Sequence, residues 1–395
     1  MVQAPSPEFM LAAACAMWPP SETRTDAIHT AAARPIDWAR FLRVVRRQRV
    51  VGLVHDALTL ARLDVHPNVA LELRAEAAAL VHENLAMACE AIRLQGLFDE
   101  ANVPVLFLKG ASLALLAFGN LGLRHSQDID LLVAPETLPR AIELVTRAGY
   151  RRYAPPPNVS DKQLRLIMPL RKDLGFIHEE TGVQLELHWR LFLNPHAMKQ
   201  ASFMAASRVV SLTENAGLRT LGEADLFSYL CMHGAIHCWS QLKWLADIGA
   251  LLANTREHGP ERLMSGAEAR GVGLSAAQAM LLCQKLLGAS LPLPLFDELN
   301  RRPKLQWLQQ TALKAMTAGG EEREPREVVF GTTRGSLTAF LFRQSWRYRL
   351  VELRNLLTNE TDILELPLPE RLQFLYPILR LPLWIRRHAS RRIAE

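Results

Sequence analysis

Two short segments constrain the fold of this chain more than any other feature. Residues 106–110 have the sequence Leu-Phe-Leu-Lys-Gly, an apolar run closed by glycine that predicts a buried strand followed by a tight turn. Residues 127–133 have the sequence Gln-Asp-Ile-Asp-Leu-Leu-Val, which predicts a second strand. Because successive side chains of a strand point to opposite faces, Asp128 and Asp130 share one face while Ile129 points into the core.

The two aspartates of the second strand require a counter-charge. Two carboxylates on one face repel each other unless a cation lies between them, and an apolar strand rarely tolerates two unpaired carboxylates. Magnesium is a hard cation that prefers oxygen ligands. Asp128 and Asp130 therefore predict a site for Mg²⁺ or Mn²⁺, and the alternative is a solvated strand edge that carries two acids.

The composition is that of a soluble globular protein. At 395 residues the chain has room for two or three domains, and its 49% hydrophobic and 22% charged residues are ordinary values. A net charge of +6 is compatible with phosphate-bearing partners but does not by itself indicate nucleic-acid binding. The five cysteines form no CxxC pair, which argues against a zinc cluster or disulfide framework and for a reducing cytoplasm.

The apolar run over residues 9–18 is a candidate signal peptide. No Lys or Arg precedes it, and Pro19-Pro20 cuts it short, so we expect a small buried helix instead. No other uninterrupted apolar segment is long enough to span a bilayer. The expected location is therefore cytoplasmic, without stable membrane insertion.

Hydrophobic periodicity predicts an α+β protein in which a small mixed sheet is flanked by N-terminal and C-terminal helical domains. The predicted parts are an N-terminal helical region (1–98), an α/β core (99–195), a helical domain on the cleft (196–290) and a C-terminal helical region with a basic tail (291–395). Helices are predicted over 38–60, 67–97, 223–252, 274–288, 303–318, 334–358 and 370–388.

Within the core, strands and helices alternate. Strands are predicted over 103–108 and 127–133, and helices over 111–118 and 135–148. A hairpin over 174–189, turning at Glu-Glu-Thr-Gly, completes the core.

The returning strand of this hairpin carries further polar residues. Gln184, Glu186 and His188 alternate with apolar residues and so share one face. If this strand lies beside the Asp128 strand, Glu186 becomes a third carboxylate at the metal site. His188 would then orient a metal ligand or contact the substrate, and the alternative is an ordinary core histidine.

These motifs together resemble the DNA polymerase β-like nucleotidyltransferase superfamily. The residues that carry the resemblance are Lys109-Gly110, Arg124, Asp128-Ile129-Asp130 and Glu186-Leu187-His188-Trp189. Within the superfamily, the chain is most similar to an uncharacterised group of bacterial nucleotidyltransferases with a lysine-glycine turn. The sequences Cys-Met-His-Gly-Ala-Ile-His-Cys-Trp at 231–239 and Leu-Lys-Trp-Leu-Ala-Asp at 242–247 also resemble that group. The likeness covers roughly residues 40–290, with a further similar stretch at 366–380.

The resemblance implies a nucleotidyltransferase core that uses two metal ions to transfer a group from an NTP. Asp128 and Asp130 would hold the metal that grips the triphosphate, and with Glu186 they would hold the second. That second metal would activate an acceptor hydroxyl or phosphate for in-line attack. Two ions about 3.5–4 Å apart stabilise both the entering and the leaving oxygens.

The turn after the first strand is the expected phosphate site. Gly110 lets the backbone approach an anion, Lys109 supplies a point charge, and Arg124 could clamp phosphate oxygens bidentately. The superfamily commonly has serine directly after the glycine, whereas this chain has Ala111 there and Ser112 one position later. The alternatives are a surface lysine at a strand end and a structural salt bridge of the arginine.

A histidine pair marks the predicted helix over 223–252. His233 and His237 are four residues apart and so lie on one helix face, with Trp244 and Asp247 along nearly the same stripe. The zinc-protease pattern HExxH is absent from the chain. We expect this helix to pack across the nucleotide cleft, with His237 or Asp247 in polar contact with the nucleotide. Simple packing is the alternative for the tryptophans.

Several functions remain open at this point. The leading one is transfer of a nucleotidyl or phosphate-bearing group from an NTP to a peptide, phosphopeptide or small metabolite. A tRNA acceptor, as in nucleotidyltransferase toxins, is the competitor within the enzyme class. The other classes are a non-catalytic nucleotide-binding module and a helical RNA-binding or membrane-attached scaffold that uses the basic residues at 384–392.

Overall fold

A computed structural model describes residues 5–199, 203–255, 259–317, 338–343 and 345–394, with the backbone alone at residue 370 and at 387–394. The strands are β1 Leu106–Phe107, β2 Asp128–Leu132, β3 Tyr150–Ala154, β4 Asp173–His178, β5 Gln184–His188, β6 Arg208–Ser211 and β7 Gly217–Thr220. The first five form one sheet in the order β1-β2-β5-β4-β3, and β6 pairs with β7.

Helices surround this sheet on the N-terminal and C-terminal sides. They are α1 Pro7–Cys15, α2 Glu22–Ala32, α3 Trp38–Gln48, α4 Val51–Leu60, α5 Pro67–Glu100, α6 Ala111–Phe118, α7 Leu138–Arg147, α8 Asp161–Ile167, α9 Glu223–Ile236, α10 Leu242–Ala253, α11 Gly259–Ala269, α12 Gly273–Leu287, α13 Leu293–Asn300, α14 Pro303–Thr317, α15 Trp346–Leu357, α16 Glu360–Glu365 and α17 Tyr376–Ala394. The predicted α+β class, with a small mixed sheet between helical regions, is confirmed.

The centre of the sheet is a parallel pair. Strands β2 and β5 run parallel, whereas β1 pairs antiparallel with β2, β4 with β5, and β3 with β4. The predicted hairpin is therefore present as β4 and β5, and its returning strand lies directly beside β2. This topology brings two polar strand faces together in the middle of the sheet.

Helix α5 positions the segment that leads into β2. It begins with proline, which suits the first helical turn, and its many alanines favour helix over all 34 residues. Leu94 and Phe98 on its buried face pack into the apolar core beneath the sheet. The Asn84 amide nitrogen donates to the carbonyls of Leu121 and Arg124 at 2.7 and 2.8 Å. The chain is thus held in place just ahead of the two aspartates.

A larger apolar cluster joins the helices around the sheet. It includes side chains of α1, α9, α10 and α12. Leu11 and Cys15 of α1 are fully buried, so the predicted small buried helix at the N-terminal apolar run is confirmed. This cluster fixes α9 and α10 against the rest of the protein.

The helix predicted over 38–60 is wrong in one respect, because two helices occupy that range. Arg49 has a left-handed φ of 56° and ends α3. The neighbouring Gln48 side chain is buried, accepts a hydrogen bond from the Leu242 amide at 2.7 Å and donates to the Met316 carbonyl at 3.0 Å. The apolar period continues across the break because both helices face the same core.

The single helix predicted over 223–252 is also wrong. Cys238 and Trp239 have left-handed φ values of 53° and 52° and separate α9 from α10. Trp239 is fully buried, and its indole nitrogen donates to Gln278 Oε1 at 3.1 Å. The buried tryptophan fills the core at the corner, so the apolar pattern gives no sign of the turn. The stripe predicted to run from His233 to Asp247 is therefore interrupted.

The C-terminal helices match the prediction in part. Helix α15 covers the later positions of the helix predicted over 334–358, whose positions 334–337 lie outside the described residues. The helix predicted over 370–388 starts as a 3₁₀ segment at Glu370–Leu375 and continues as α17. The helices predicted over 274–288 and 303–318 correspond to α12 and α14.

The side chains of the basic tail are described only as far as Arg386. The Arg386 guanidinium lies 3.4 Å from a carboxylate oxygen of Glu365, whereas the side chains at 387–392 lie outside the described residues. Within the ranges that the structure describes, no helix is both long enough and apolar enough to cross a bilayer.

Candidate active site

The register of β2 and β5 assembles a polar cluster on one face of the sheet. Asp130 lies beside Glu186. Two residues further along, on the same face of the sheet, Leu132 lies beside His188. Side chains two residues apart on a strand share a face, so Asp128 and Asp130 point to the same side. On the other face, Ile129 and its neighbours are buried in the apolar core. Burial of that face holds the acidic face in position.

Three side chains form a compact set of metal-ligating groups. His188 Nε2 is 3.2 Å from Asp130 Oδ1 and 3.2 Å from Glu186 Oε2. The ligand atoms of the three residues all lie within 4.8 Å of one another. Asp130 is only 3% exposed. Two carboxylates and an imidazole within this distance are suited to a divalent cation.

The charges around Asp130 keep its carboxylate ionised. Burial raises the pKa of Asp130, but the Lys109 ammonium, whose nitrogen is 3.1 Å from Asp130 Oδ2, and the hydrogen bond to His188 lower it by more. Its pKa therefore lies well below the ordinary value. The negative charge of Asp130, followed by burial, raises the pKa of Asp128. The repulsion between the two acids that the sequence implies is present in the folded protein.

His188 lies among the same carboxylates. Burial and the Lys172 ammonium lower the pKa of His188, yet its hydrogen bonds to Asp130 and Glu186 leave that pKa above the ordinary value. The carboxylates thus favour the protonated form of the imidazole, and the Lys109 ammonium supplies positive charge next to the acids. A divalent cation bound here would replace part of that charge.

Asp128 lies outside this three-residue set and lines an adjacent pocket. The pocket is also lined by Lys109, Gly110 and Ser126. Helix α6 begins at the edge of the pocket, and its first turn has no side-chain cap. The free N–H groups at a helix N-terminus can bind an anion.

Gly110 gives the turn its shape. It has φ of 71° and ψ of −136°, a conformation that residues with a Cβ rarely adopt. A Cβ added at this position would meet no atom within 4 Å. Backbone conformation, rather than lack of space, therefore requires glycine here.

Gly110→Ala is expected to lower the free energy of unfolding by about 1–3 kcal/mol, the usual cost of holding a side-chain-bearing residue in such a conformation. Gly96→Ala in α5 is the matched control. Its Cβ would also meet nothing within 4 Å, and alanine stabilises a helix interior by roughly 0.5–1 kcal/mol over glycine. Urea unfolding followed by circular dichroism measures both changes. Equal stabilisation by the two substitutions would contradict a strained turn at Gly110.

Ser112 does not face the pocket. Its side chain is fully buried, and its hydroxyl donates to the Lys109 carbonyl at 3.1 Å. This hydrogen bond closes the turn between β1 and α6. We therefore assign Ser112 to the turn and propose no phosphate contact for it.

Arg124 forms a buried salt bridge, which was the alternative interpretation of its position in the sequence. Its Nε and Nη2 donate to the two carboxylate oxygens of Asp247 at 2.9 and 3.1 Å, and its Nη1 donates to Ser126 Oγ at 3.0 Å. Arg124 is 4% exposed and Asp247 is 1% exposed. Because this pair occupies both side chains, we propose neither as a nucleotide contact.

The histidine pair lies in an aromatic cluster between α9 and α10. The His233 and His237 ring centroids are 4.6 Å apart, and the Trp244 ring is 5.5 and 5.2 Å from them. Tyr229 contacts His233 at 5.7 Å. Burial, followed by nearby positive charge that includes Lys109, lowers the pKa of His233. The cluster is therefore close to the acidic site and contains a neutral histidine.

Sequence analysis missed Lys172 and Asp173. The β4–β5 register pairs Asp173 with His188, and Lys172 Nζ is 2.7 Å from Asp173 Oδ2 and 3.8 Å from Glu186 Oε2. Extending the predicted hairpin backwards by one residue would have placed Asp173 opposite His188. Tyr229 was missed as well. The charges of Lys109 and Asp130 act on its side chain, and no local spacing signals that proximity.

Comparison with known proteins agrees with this arrangement. The model of a family described as uncharacterised nucleotidyltransferase matches residues 34–288. A search among curated proteins gave no match. The matched range contains the five-stranded sheet, the acidic cluster and helices α9 to α12. Because the match covers more than half of the chain, the protein belongs to this family of uncharacterised nucleotidyltransferases.

Proposed function

We propose that this protein transfers a nucleotidyl group, or another phosphate-bearing part of an NTP, to an acceptor in a reaction that requires a divalent cation. The observation that carries the proposal is the cluster of Asp130, Glu186 and His188 on the central strands of a nucleotidyltransferase-family protein. Lys109 and Gly110 border the same cleft. A metal-ligating set beside a turn suited to phosphate is what such chemistry needs.

The side chains present fit Mg²⁺ or Mn²⁺. Carboxylate oxygens of Asp128, Asp130 and Glu186 would hold the ions, and His188 would orient two of those carboxylates through its hydrogen bonds. When bound, such ions neutralise phosphate oxygens and make an acceptor hydroxyl or phosphate more nucleophilic.

The remaining site residues bind and position the substrates. The Lys109 ammonium now neutralises Asp130 and is placed to contact a phosphate oxygen once the charge of that carboxylate is balanced. The Gly110 turn and the first N–H groups of α6 would receive the triphosphate. His237 and Trp244 offer ring faces on which a base could stack. Catalysis of this kind depends mainly on positioning and charge neutralisation.

We propose a peptide, a phosphopeptide or a small metabolite as the acceptor. To test this, the protein is incubated with each NTP, with magnesium or manganese, and with peptide, metabolite and tRNA fractions, and product masses are measured. The expected result is one acceptor that gains the mass of a nucleotidyl group, which is a nucleoside monophosphate less one water, with release of pyrophosphate in a reaction abolished by EDTA. A mass gain on tRNA alone would replace the proposed acceptor. Metal-dependent NTP binding with no product on any fraction would contradict transferase activity and support a binding module.

A further inference from the structure

The C-terminal helix α17 carries apolar side chains on two opposite sides. Tyr376 and Leu383, seven residues apart, are buried against the protein. Ile378, Leu381 and Ile385 recur at helical spacing on the other side and are 69%, 64% and 53% exposed. We call these three residues the outer stripe. A helix that only packs on its own protein has polar residues on its outer side, so the outer stripe requires another explanation.

The buried side fixes the orientation of α17. Tyr376 packs with Ile167 of α8 and Ile363 of α16 in a small apolar cluster. Its hydroxyl donates to the Leu366 carbonyl at 3.0 Å and accepts from the Leu368 amide at 2.9 Å. Turning the outer stripe into the protein would break these contacts, so the stripe stays at the surface.

The neighbouring segments also expose apolar side chains. Phe374, just before α17, is exposed, and α15, which packs against α17, exposes Trp346, Leu350 and Leu353 at helical spacing. Most of the large exposed apolar side chains among the described residues lie between positions 346 and 385. Single exposed apolar residues are common on protein surfaces, whereas a concentration of them marks an interaction site.

The charge of the segment that contains α17 is positive. Residues 371–394 include six arginines and no aspartate or glutamate. Arg380 and Arg386 lie 3.8 and 3.4 Å from carboxylate oxygens of Asp362 and Glu365 in α16. When those two acids are counted, the segment still has an excess of positive charge. Its partner is therefore expected to be negatively charged as well as apolar.

An anionic lipid surface meets both requirements. Acyl chains cover aliphatic side chains, and phosphate headgroups attract arginines. A second copy of the same surface would bring two arginine-rich helices together, and like charges across an interface repel each other. RNA would neutralise the arginines, but single-stranded nucleic acid is bound by stacking on aromatic rings, whereas the outer stripe is aliphatic.

We propose that α17 binds the surface of an anionic membrane. The helix lies in the plane of the interface, with Ile378, Leu381 and Ile385 among the lipid chains and the arginines at the phosphate headgroups. This mode of binding needs no membrane-spanning helix and is reversible. It does not depend on nucleotidyl transfer, so the two proposals can fail separately.

Co-sedimentation of the full-length protein with vesicles tests this proposal. The vesicles contain either phosphatidylcholine alone or phosphatidylcholine with phosphatidylglycerol, which is anionic. The wild type is expected to bind the anionic vesicles at least ~10-fold more tightly, since several arginines act together near an anionic surface. Added salt should weaken that binding by screening the charges.

The variant Ile378→Gln/Leu381→Gln/Ile385→Gln should bind the anionic vesicles at least ~10-fold more weakly, because it removes the apolar area that enters the lipid. Glutamine favours helix, and the three positions are exposed, so the variant should melt like the wild type.

The matched control is Leu60→Gln/Leu71→Gln/Leu293→Gln. These leucines of α4, α5 and α13 are at least as exposed as Ile385, but they lie outside the C-terminal helices. This variant should bind the anionic vesicles like the wild type.

A second variant, Arg387→Gln/Arg391→Gln/Arg392→Gln, keeps the outer stripe and removes charge. It should lose most of the preference for anionic vesicles, and it decides the question if the stripe variant melts below the wild type. No binding of the wild type to either kind of vesicle, or equal binding by the wild type and both variants, would overturn the proposal. A dimer of the wild type that the stripe variant no longer forms, measured by analytical ultracentrifugation, would assign the stripe to a second copy and would also overturn it.

Discussion

Asp130→Asn is expected to lower the rate of nucleotidyl transfer by about 10³-fold or more. Metal ions contribute several kcal/mol of transition-state stabilisation, and ~4 kcal/mol corresponds to a factor of about 10³ in rate. Asparagine keeps the shape of the side chain but removes the negative charge that Lys109 and His188 now surround. Pyrophosphate release with the identified acceptor measures the rate.

The matched control is Glu143→Gln. Glu143 is an exposed acid of α7 that is paired with Arg140 on the same helix, so its substitution should leave the rate unchanged. Thermal melting shows whether Asp130→Asn remains folded. A folded Asp130→Asn protein that turns over at the wild-type rate would rule out a role for this carboxylate in the reaction.

Arg124→Leu is expected to lower the free energy of unfolding by about 3–5 kcal/mol, because breaking a buried ion pair leaves the other charge without a partner. Asp247, a buried residue of α10, is the charge left behind. The double variant Arg124→Leu/Asp247→Leu should recover most of this loss, since well-packed apolar side chains can replace a buried pair. Arg124→Lys should lower the free energy of unfolding by an intermediate amount, because lysine keeps the positive charge but cannot form the two parallel hydrogen bonds of the guanidinium.

A double-mutant cycle in urea measures the coupling between the two residues. Arg140→Leu, which breaks the exposed pair with Glu143, is the control and should cost no more than about 1 kcal/mol. If Arg124→Leu unfolds like the wild type but binds NTP poorly, the phosphate-clamp interpretation of Arg124 replaces the structural one.

The parts of the site that sequence analysis predicted are those encoded by local patterns. The alternation in β2 predicted that Asp128 and Asp130 share one face, and the hairpin pattern predicted the strand that carries Glu186. Its place beside β2 stayed conditional in the sequence and comes from the parallel pairing of β2 and β5. Helix α6 occupies the predicted residues 111–118 because the glycine turn marks its start. In each case the spacing of side chains within a few residues determines the geometry.

Contacts between distant segments could not be predicted in this way. Arg124 and Asp247 are 123 residues apart, and no local pattern distinguishes a phosphate clamp from a partner on another helix. The break at Trp239 was missed because apolar residues continue at helical spacing through the corner.

Strand β3 was not predicted, for a different reason. Its sequence, Tyr-Arg-Arg-Tyr-Ala, is polar at its centre, and it pairs only with β4 at the edge of the sheet. An edge strand buries less surface than a central strand, so its hydrophobic signal is weak. Four of the five strands of the sheet were therefore predicted, and this edge strand was not.

The most direct test of the account is anomalous diffraction from crystals grown with Mn²⁺ and a non-hydrolysable NTP analogue. The account predicts manganese between the carboxylates of Asp130 and Glu186, a second ion about 3.5–4 Å away on the Asp128 side, and triphosphate density at the Gly110 turn. Nucleotide bound elsewhere, with no manganese on the polar face of β2 and β5, would contradict it.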